Sequence, residues 1–100
     1  MKKVEQSGRV LMIGPVQEFG ANKTRKRVVR IDASGGGTSS VVEFVLMHDN
    51  VEKGDLIKVG EDVEVPGYLM GRLHKGTDDV ERCFMELQVF KIAKVGKVVL

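Results

Sequence analysis

The feature that most limits the possible folds is the abundance of valine in short apolar segments that glycine interrupts. Valine occurs 17 times and leucine 7 times among 100 residues, and there are 12 glycines. β-Branched side chains favour strands because they pack well on a pleated, half-buried surface. Short β-branched segments separated by turn residues are typical of an all-β domain. A chain of this length can bury one hydrophobic core but not two, so we expect a single domain over residues 1–100.

Five segments are predicted to be strands, with a short helix between the third and the fourth. The first strand is expected to resume at Val16–Phe19 after Gly14-Pro15, because proline cannot donate a hydrogen bond to a neighbouring strand. The spacing of Asp49 and Glu52 is that of a capping box, which predicts one or two helical turns around Val51–Lys53. Residues 1–6 are expected to be a loose, flexible lead and residues 94–100 a short tail, leaving a core at about 7–94. The five predicted strands are residues 8–13, 25–32, 41–47, 58–72 and 80–93.

Alternation along the last two strands predicts which side chains face the core. On the fourth strand, the inward positions are predicted to be Val63, Val65, Gly67, Leu69 and Gly71, and the two glycines would provide space or a kink. The outward positions there are Tyr68, Met70 and Arg72. On the fifth strand, Cys83, Met85, Leu87 and Val89 share one face, and Phe84, Glu86 and Gln88 share the other. A bulge near Val89 is expected to turn Phe90 or Ile92 inward.

Long hairpins after the first and fourth strands, together with the brief helix, predict a five-stranded Greek-key barrel, the OB-fold. In that architecture the two hairpins and the face between them bind oligonucleotides. The segment Ala21–Arg30 lies on the first hairpin and carries five cations with no acidic residue. The rest of the chain has 11 basic and 14 acidic residues, so the positive charge is local. A basic hairpin on an otherwise acidic domain indicates a polyanionic partner, although a solvated cationic hairpin that aids solubility has the same sequence.

Binding of single-stranded nucleic acid requires cations that follow the phosphates and flat side chains on which bases stack. Phe44 is expected to belong to the core because it lies in the apolar register of its strand. Phe90 is also expected there, through the bulge near Val89. The residues predicted to contact phosphates are Lys23, Arg25, Lys26, Arg27, Arg30, Arg72 and Lys75. The residues predicted to stack on bases are Phe19, Tyr68 and Phe84.

Several motifs in order resemble a small bacterial and phage OB-fold family, a domain of unknown function related to single-stranded DNA-binding proteins. The resemblance spans about residues 7–94 and is carried by Ser7-Gly-Arg-Val, 15–22, Arg25-Lys-Arg, Phe44, 58–65, Gly71-Arg72 and 87–92. It implies binding of single-stranded DNA with little sequence preference, in replication or recombination and together with proteins of those processes. Leu73 and Phe90 stand where the family often has an aromatic residue and a tryptophan. The acidic C-terminal tail that recruits partners to many bacterial single-strand-binding proteins is also missing.

Catalysis, metal binding and cofactor binding are not expected. His48 and His74 lack ligand spacing with Cys83, and no pair of carboxylates suggests acid–base chemistry. The glycine-rich segment 33–40 lacks the Gly-x-x-x-x-Gly-Lys-Ser/Thr spacing of a phosphate-binding loop and is predicted to be a linker between strands.

The location and the assembly state are predicted from the ends of the chain and from its hydropathy. No apolar run approaches the length of about 18 residues that a membrane span requires, and the N-terminal residues lack a signal-peptide core. With a single cysteine, the protein is expected in the cytoplasm. The apolar segment Val98–Leu100 predicts a homo-oligomer, unless it folds back on its own barrel. A protein-interaction module and an RNA-binding domain remain open as alternatives.

Overall fold

The computed structural model describes residues 3–34 and 40–94, which form seven strands and one 3-10 helix. The strands are β1 (Lys3–Ile13), β2 (Gln17–Phe19), β3 (Thr24–Asp32), β4 (Val41–Met47), β5 (Asp62–Lys75), β6 (Glu81–Val89) and β7 (Ala93–Lys94). The 3-10 helix spans His48–Leu56. The fold is therefore all-β with a short helix between strands, as predicted. It has seven strands in place of five, because β2 and β7 are short additional strands.

The strand pairings can be followed from β1 through β3, β4, β6 and β5 and back to β1. One part of β1 pairs antiparallel with β3, and Lys3–Arg9 pairs antiparallel with the first half of β5. β4 pairs with β3, and β6 pairs with the second half of β5, both antiparallel. A single parallel bridge between Val45 and Gln88 joins β4 to β6. The two long hairpins consequently project from the same group of paired strands.

The core lies between these strands and the 3-10 helix. Phe44 is fully buried, as expected from the alternation of β4. Each large apolar side chain that is fully removed from water contributes about 1.5–3 kcal/mol. The core cluster consists of Val10, Val29, Ile31, Phe44, Leu46, Val51, Ile57, Val63, Val65, Leu87, Val89 and Ile92.

The second half of β5 and the first half of β6 leave the core as a two-stranded arm, residues 69–86. Among residues 3–34 and 40–94, the last pair between β1 and β5 is Lys3 with Tyr68, and beyond it β5 pairs with β6. The inward position predicted for Leu69 is therefore wrong, because the side chain is 44% exposed. Leu73 and Met85, on the same face of the arm, are 66% and 64% exposed. Cys83, which also shares this face, is exposed.

Three other expectations require correction. Lys3–Gln6, predicted to be a loose lead, belongs to β1 because these residues pair with β5. The capping box does not form: Met47 is the N-cap, no side chain caps the helix, and the helix is longer than predicted. Phe90, expected in the core, is exposed, whereas Ile92 is buried because the chain turns after β6 ends at Val89.

Two predicted segments fall outside the described residues. These are most of the glycine-rich linker and the apolar tail that predicted self-association. Within 3–34 and 40–94, no helix has the length and apolar character needed to cross a membrane.

Candidate functional site

An open groove lies between the β2–β3 hairpin and the arm, and it has a volume of about 630 Å³. One wall is formed by residues of β2, β3 and β4, and the other wall is formed by β5 and β6. The groove is lined by Phe19, Thr24, Lys26, Met47, Met70, Gly71, Arg72, Phe84, Met85, Glu86 and Gln88. Four residues predicted from the sequence to contact nucleic acid meet here: Phe19, Lys26, Arg72 and Phe84.

The register of β5 and β6 explains how the arm presents its half of the site. Arg72 lies directly opposite Phe84, and Met70 lies directly opposite Glu86. Alternate residues of a strand point to the same face, so these four side chains project together. His74, the next residue on this face, lies near Phe84, with 6.3 Å between the ring centroids. Met70, Arg72, Phe84 and Glu86, which were predicted to point outward, line the groove together.

The side chain of Lys26 connects the two walls of the groove. Its Nζ forms an ion pair with Oε2 of Glu86 and lies 5.9 Å from the centroid of the Phe19 ring. Nε2 of Gln88 donates a hydrogen bond of 3.0 Å to the other carboxylate oxygen of Glu86. Burial raises the pKa of Glu86, but the hydrogen bonds from Lys26 and Gln88 and the charges of Lys26 and Arg72 outweigh it, so the pKa lies below its ordinary value. Glu86 is therefore negatively charged at neutral pH.

Flat rings and cations face the same open space in this groove. Phe19 and Phe84 are each 50% exposed, so half of each ring can accept a stacking partner. Among the residues that the structure describes, no acidic group lies within ion-pair distance of Arg72. The arrangement offers apolar ring faces beside a free guanidinium and an ammonium group that is already paired.

Arg27, predicted to contact phosphate, is held inside the molecule. Its side chain is only 13% exposed. Nε donates to the carbonyl oxygen of Gly14 at 2.7 Å, and Nη1 donates to the carbonyl oxygen of Val51 at 3.1 Å and to Asp55 at 2.9 Å. The guanidinium thus ties the 3-10 helix to the connection between β1 and β2. Arg27 lies on the face of β3 that carries Val29, so strand alternation contained the signal that this arginine points inward.

Arg25 and Arg30 have carboxylate partners at other places on the surface. Arg25 approaches Glu52 of the 3-10 helix at 3.9 Å, on the same side of β3 as Arg27. Arg30 donates to Glu43 on β4 at 2.8 Å. Neither arginine lines the groove.

The remaining predicted residues lie near the ends of the site. Lys23 occupies the turn between β2 and β3, with a left-handed φ of 51°. Lys75 is near the tip of the arm and pairs with Asp79 at 3.1 Å. Tyr68 lies at the base of the arm, on the same strand face as the Met70 position, and its ring centroid is 5.8 Å from that of Phe90.

Sequence reasoning did not assign a role to Glu86, Gln88 or Met47, which also line the groove. Glu86 and Gln88 share the outward face of β6 with Phe84, so the alternation of that strand was sufficient to place them. Met47 ends β4, and no local pattern indicates that the neighbouring hairpin approaches it. In residues 3–34 and 40–94, no group of three or more His, Cys, Asp or Glu side chains could hold a metal ion.

Two solved structures share this fold at low sequence identity. The mitochondrial single-stranded DNA-binding protein Rim1 from S. cerevisiae aligns with a TM-score of 0.71 and 15% identity, covering 94% of each chain. The SSB domain of a protein from Synechococcus sp. aligns with a TM-score of 0.65 and 15% identity, covering 93% of this chain and 94% of that one. At this identity the likeness shows that the chain has an SSB-like OB fold.

A search of curated protein sequences finds no match. The family described as a domain of unknown function, DUF3127, matches residues 5–93. The resemblance inferred from the sequence motifs is thereby confirmed, and the chain belongs to the DUF3127 family.

Proposed function

We propose that this protein binds single-stranded DNA in the groove between the β2–β3 hairpin and the arm, with little sequence preference and without catalysis. The observation that carries the proposal is the convergence of two half-exposed phenyl rings and two cations on one open groove. The two similar structures, which are named as single-stranded DNA-binding protein and SSB domain, support it.

Four of the lining residues have a defined physical role in this proposal. Phe84 and Phe19 provide surfaces on which successive bases stack, and Met70 extends the apolar floor between the strands. Arg72 contacts the phosphate backbone, since its guanidinium is free to donate several hydrogen bonds to phosphate oxygens. Stacking and phosphate contacts tolerate any base, which gives weak sequence preference.

The proposal includes the closure of the strands into a five-stranded Greek-key barrel. β1, β3, β4, β5 and β6 would be its strands, because their pairings return to β1. β2 would then belong to the first hairpin and β7 to an edge extension. Closure would place the groove across the strands in the manner of an oligonucleotide-binding OB-fold.

Fluorescence anisotropy with labelled oligothymidine tests the proposal. Single-stranded DNA should bind in preference to duplex DNA and to RNA of matched length, and binding should weaken with salt. Phe84→Ala should weaken binding by about 1–3 kcal/mol, the range for one base–aromatic stack. Leu73→Ala is the matched control, since Leu73 is on the opposite face of the same arm. Equal losses in the two variants, or no binding by the unmodified protein, would contradict the proposal. Tighter binding to RNA would favour the RNA-binding alternative.

The biological setting is also a proposal. Binding without sequence preference suits the protection of transient single strands in DNA replication or recombination. We place the protein in the cytoplasm of a bacterial cell, encoded by the host or by a phage, beside other replication or recombination proteins.

A second candidate function is protein interaction, including assembly of a homo-oligomer. The exposed apolar face of the arm, with Leu69, Leu73 and Met85, favours it because water-exposed apolar rows tend to be covered by a partner. Sedimentation of the unmodified protein and of Leu73→Ser tests this candidate. A mass above that of the monomer, which falls in the variant, would support it, and a monomer at high concentration would exclude the homo-oligomer.

A further inference from the structure

We propose that Glu86 is an internal competitor for DNA phosphate, which holds Lys26 in a neutralised pair and limits the affinity of the groove. This inference rests on the proposed binding of single-stranded DNA. It assigns a regulatory role to an acidic residue inside a site that is otherwise suited to a polyanion.

The position of Glu86 carries the argument. Glu86 lines the groove, directly opposite Met70 and two residues from Phe84 on the same strand, on the surface where we propose that bases and phosphates pass. Lys26 approaches it from β3, on the opposite wall. Both side chains are only about a third exposed or less, at 28% for Lys26 and 30% for Glu86, so water screens the pair incompletely. The carboxylate also accepts a hydrogen bond from Gln88, which fixes its direction.

The pair has a consequence for the energetics of binding. A cation that contacts phosphate increases affinity mainly by releasing counterions from the DNA. While Lys26 is paired with Glu86 its charge is neutralised, and a phosphate that enters this part of the groove meets the negative carboxylate beside it. The pair therefore removes the net effect of one cation, and Arg72 remains as the free cation among the described groove residues.

Replacement of Glu86 by glutamine tests this role with little change in shape. The amide oxygen can still accept from Lys26, so the lysine stays in the groove, but its charge is no longer neutralised. For binding to oligothymidine, the slope of log affinity against log salt should become steeper by about 0.7, the value for one added phosphate contact on single strands. At 0.1 M salt this corresponds to a gain of about fivefold in affinity, which should vanish towards 1 M.

The matched control is Glu64→Gln, because Glu64 is exposed on the first half of β5 and does not line the groove. It makes the same change in net charge. Glu86→Ala is a second neutral variant, in which the same steepening is expected. Urea denaturation shows which variants are folded, and the salt slopes are compared only among those variants.

The outcomes separate this inference from the proposed function. Failure of the unmodified protein to bind single-stranded DNA would remove the proposed function itself. Binding by the unmodified protein, with an unchanged slope in the folded Glu86 variants, would overturn only the inference. An equal gain in Glu64→Gln would also overturn it, because the effect would then come from net charge and not from release of Lys26.

Discussion

Replacement of Arg27 by alanine should destabilise the fold while leaving the groove residues in place. The change removes two hydrogen bonds from a charged donor to the backbone carbonyls of Gly14 and Val51, which lie on different segments of the chain. Hydrogen bonds of this kind contribute about 1.5–3 kcal/mol each, so a loss of about 3 kcal/mol, the lower end of the summed range, is expected for the two together. The ion pair with Asp55 adds little, because Asp55 is 71% exposed and water screens the interaction.

Urea denaturation measures this loss directly. For a small domain with a slope of about 2 kcal/mol per molar urea, the midpoint should fall by about 1.5 M at an unchanged slope. Arg25→Ala is the matched control from the same strand, and its exposed pair with Glu52 predicts a loss below about 0.5 kcal/mol. Suppose instead that Arg27→Ala keeps its stability and loses DNA binding. Arg27 would then be a phosphate ligand, and the structural role assigned to it would be refuted.

Three further predictions concern Gly54, Glu86 and Tyr68. Gly54→Ala should lower stability by about 1–3 kcal/mol in urea denaturation, because the new Cβ would lie 2.8 Å from Nη1 of Arg27 and displace it. The lowered pKa of Glu86 stabilises the fold fully above its unfolded value of 4.5, so on acidification below pH 4.5 the unmodified protein should lose stability relative to Glu86→Gln. The emission of Tyr68, the single tyrosine in a chain without tryptophan, should fall on titration with oligothymidine, and steady emission during binding would place the stacked bases elsewhere.

Strand alternation was the most informative part of the sequence. It placed Val63, Val65, Leu87 and Val89 in the core, and all four are buried. It also indicated a need for space at Gly67, where an added Cβ would lie 2.6 Å from the carbonyl oxygen of Gln88. These positions were predictable because the core side of a strand is fixed by a period of two residues wherever the strand is packed on both sides by neighbours.

The same rule failed where β5 leaves the core. Leu69 continues the inward period of Val65 and Gly67, but among the residues that the structure describes only β6 pairs with β5 at this position. Gly71 likewise has no neighbour closer than 3.7 Å to an added Cβ, which is an ordinary contact. Alternation reports which face a residue occupies, and it contains no information about whether another element packs on that face.

The basic hairpin shows a second limit of sequence reasoning, which concerns charge. In the sequence, the five cations of Ala21–Arg30 stand together, and the surplus of acidic residues lies elsewhere. In the fold, four of the five face a carboxylate within ion-pair distance: Arg25 with Glu52, Lys26 with Glu86, Arg27 with Asp55 and Arg30 with Glu43. The acidic partners come from β4, the 3-10 helix and β6, so no local window of sequence contains both members of a pair. The electric field around the hairpin is therefore much weaker than five uncompensated charges would produce, because the two charges of each ion pair largely cancel. Salt at 0.1 M screens what remains over a Debye length of about 10 Å. In the proposed binding of a polyanion, selectivity depends on which pairs open, and of the four, only the pair formed by Lys26 and Glu86 lines the groove.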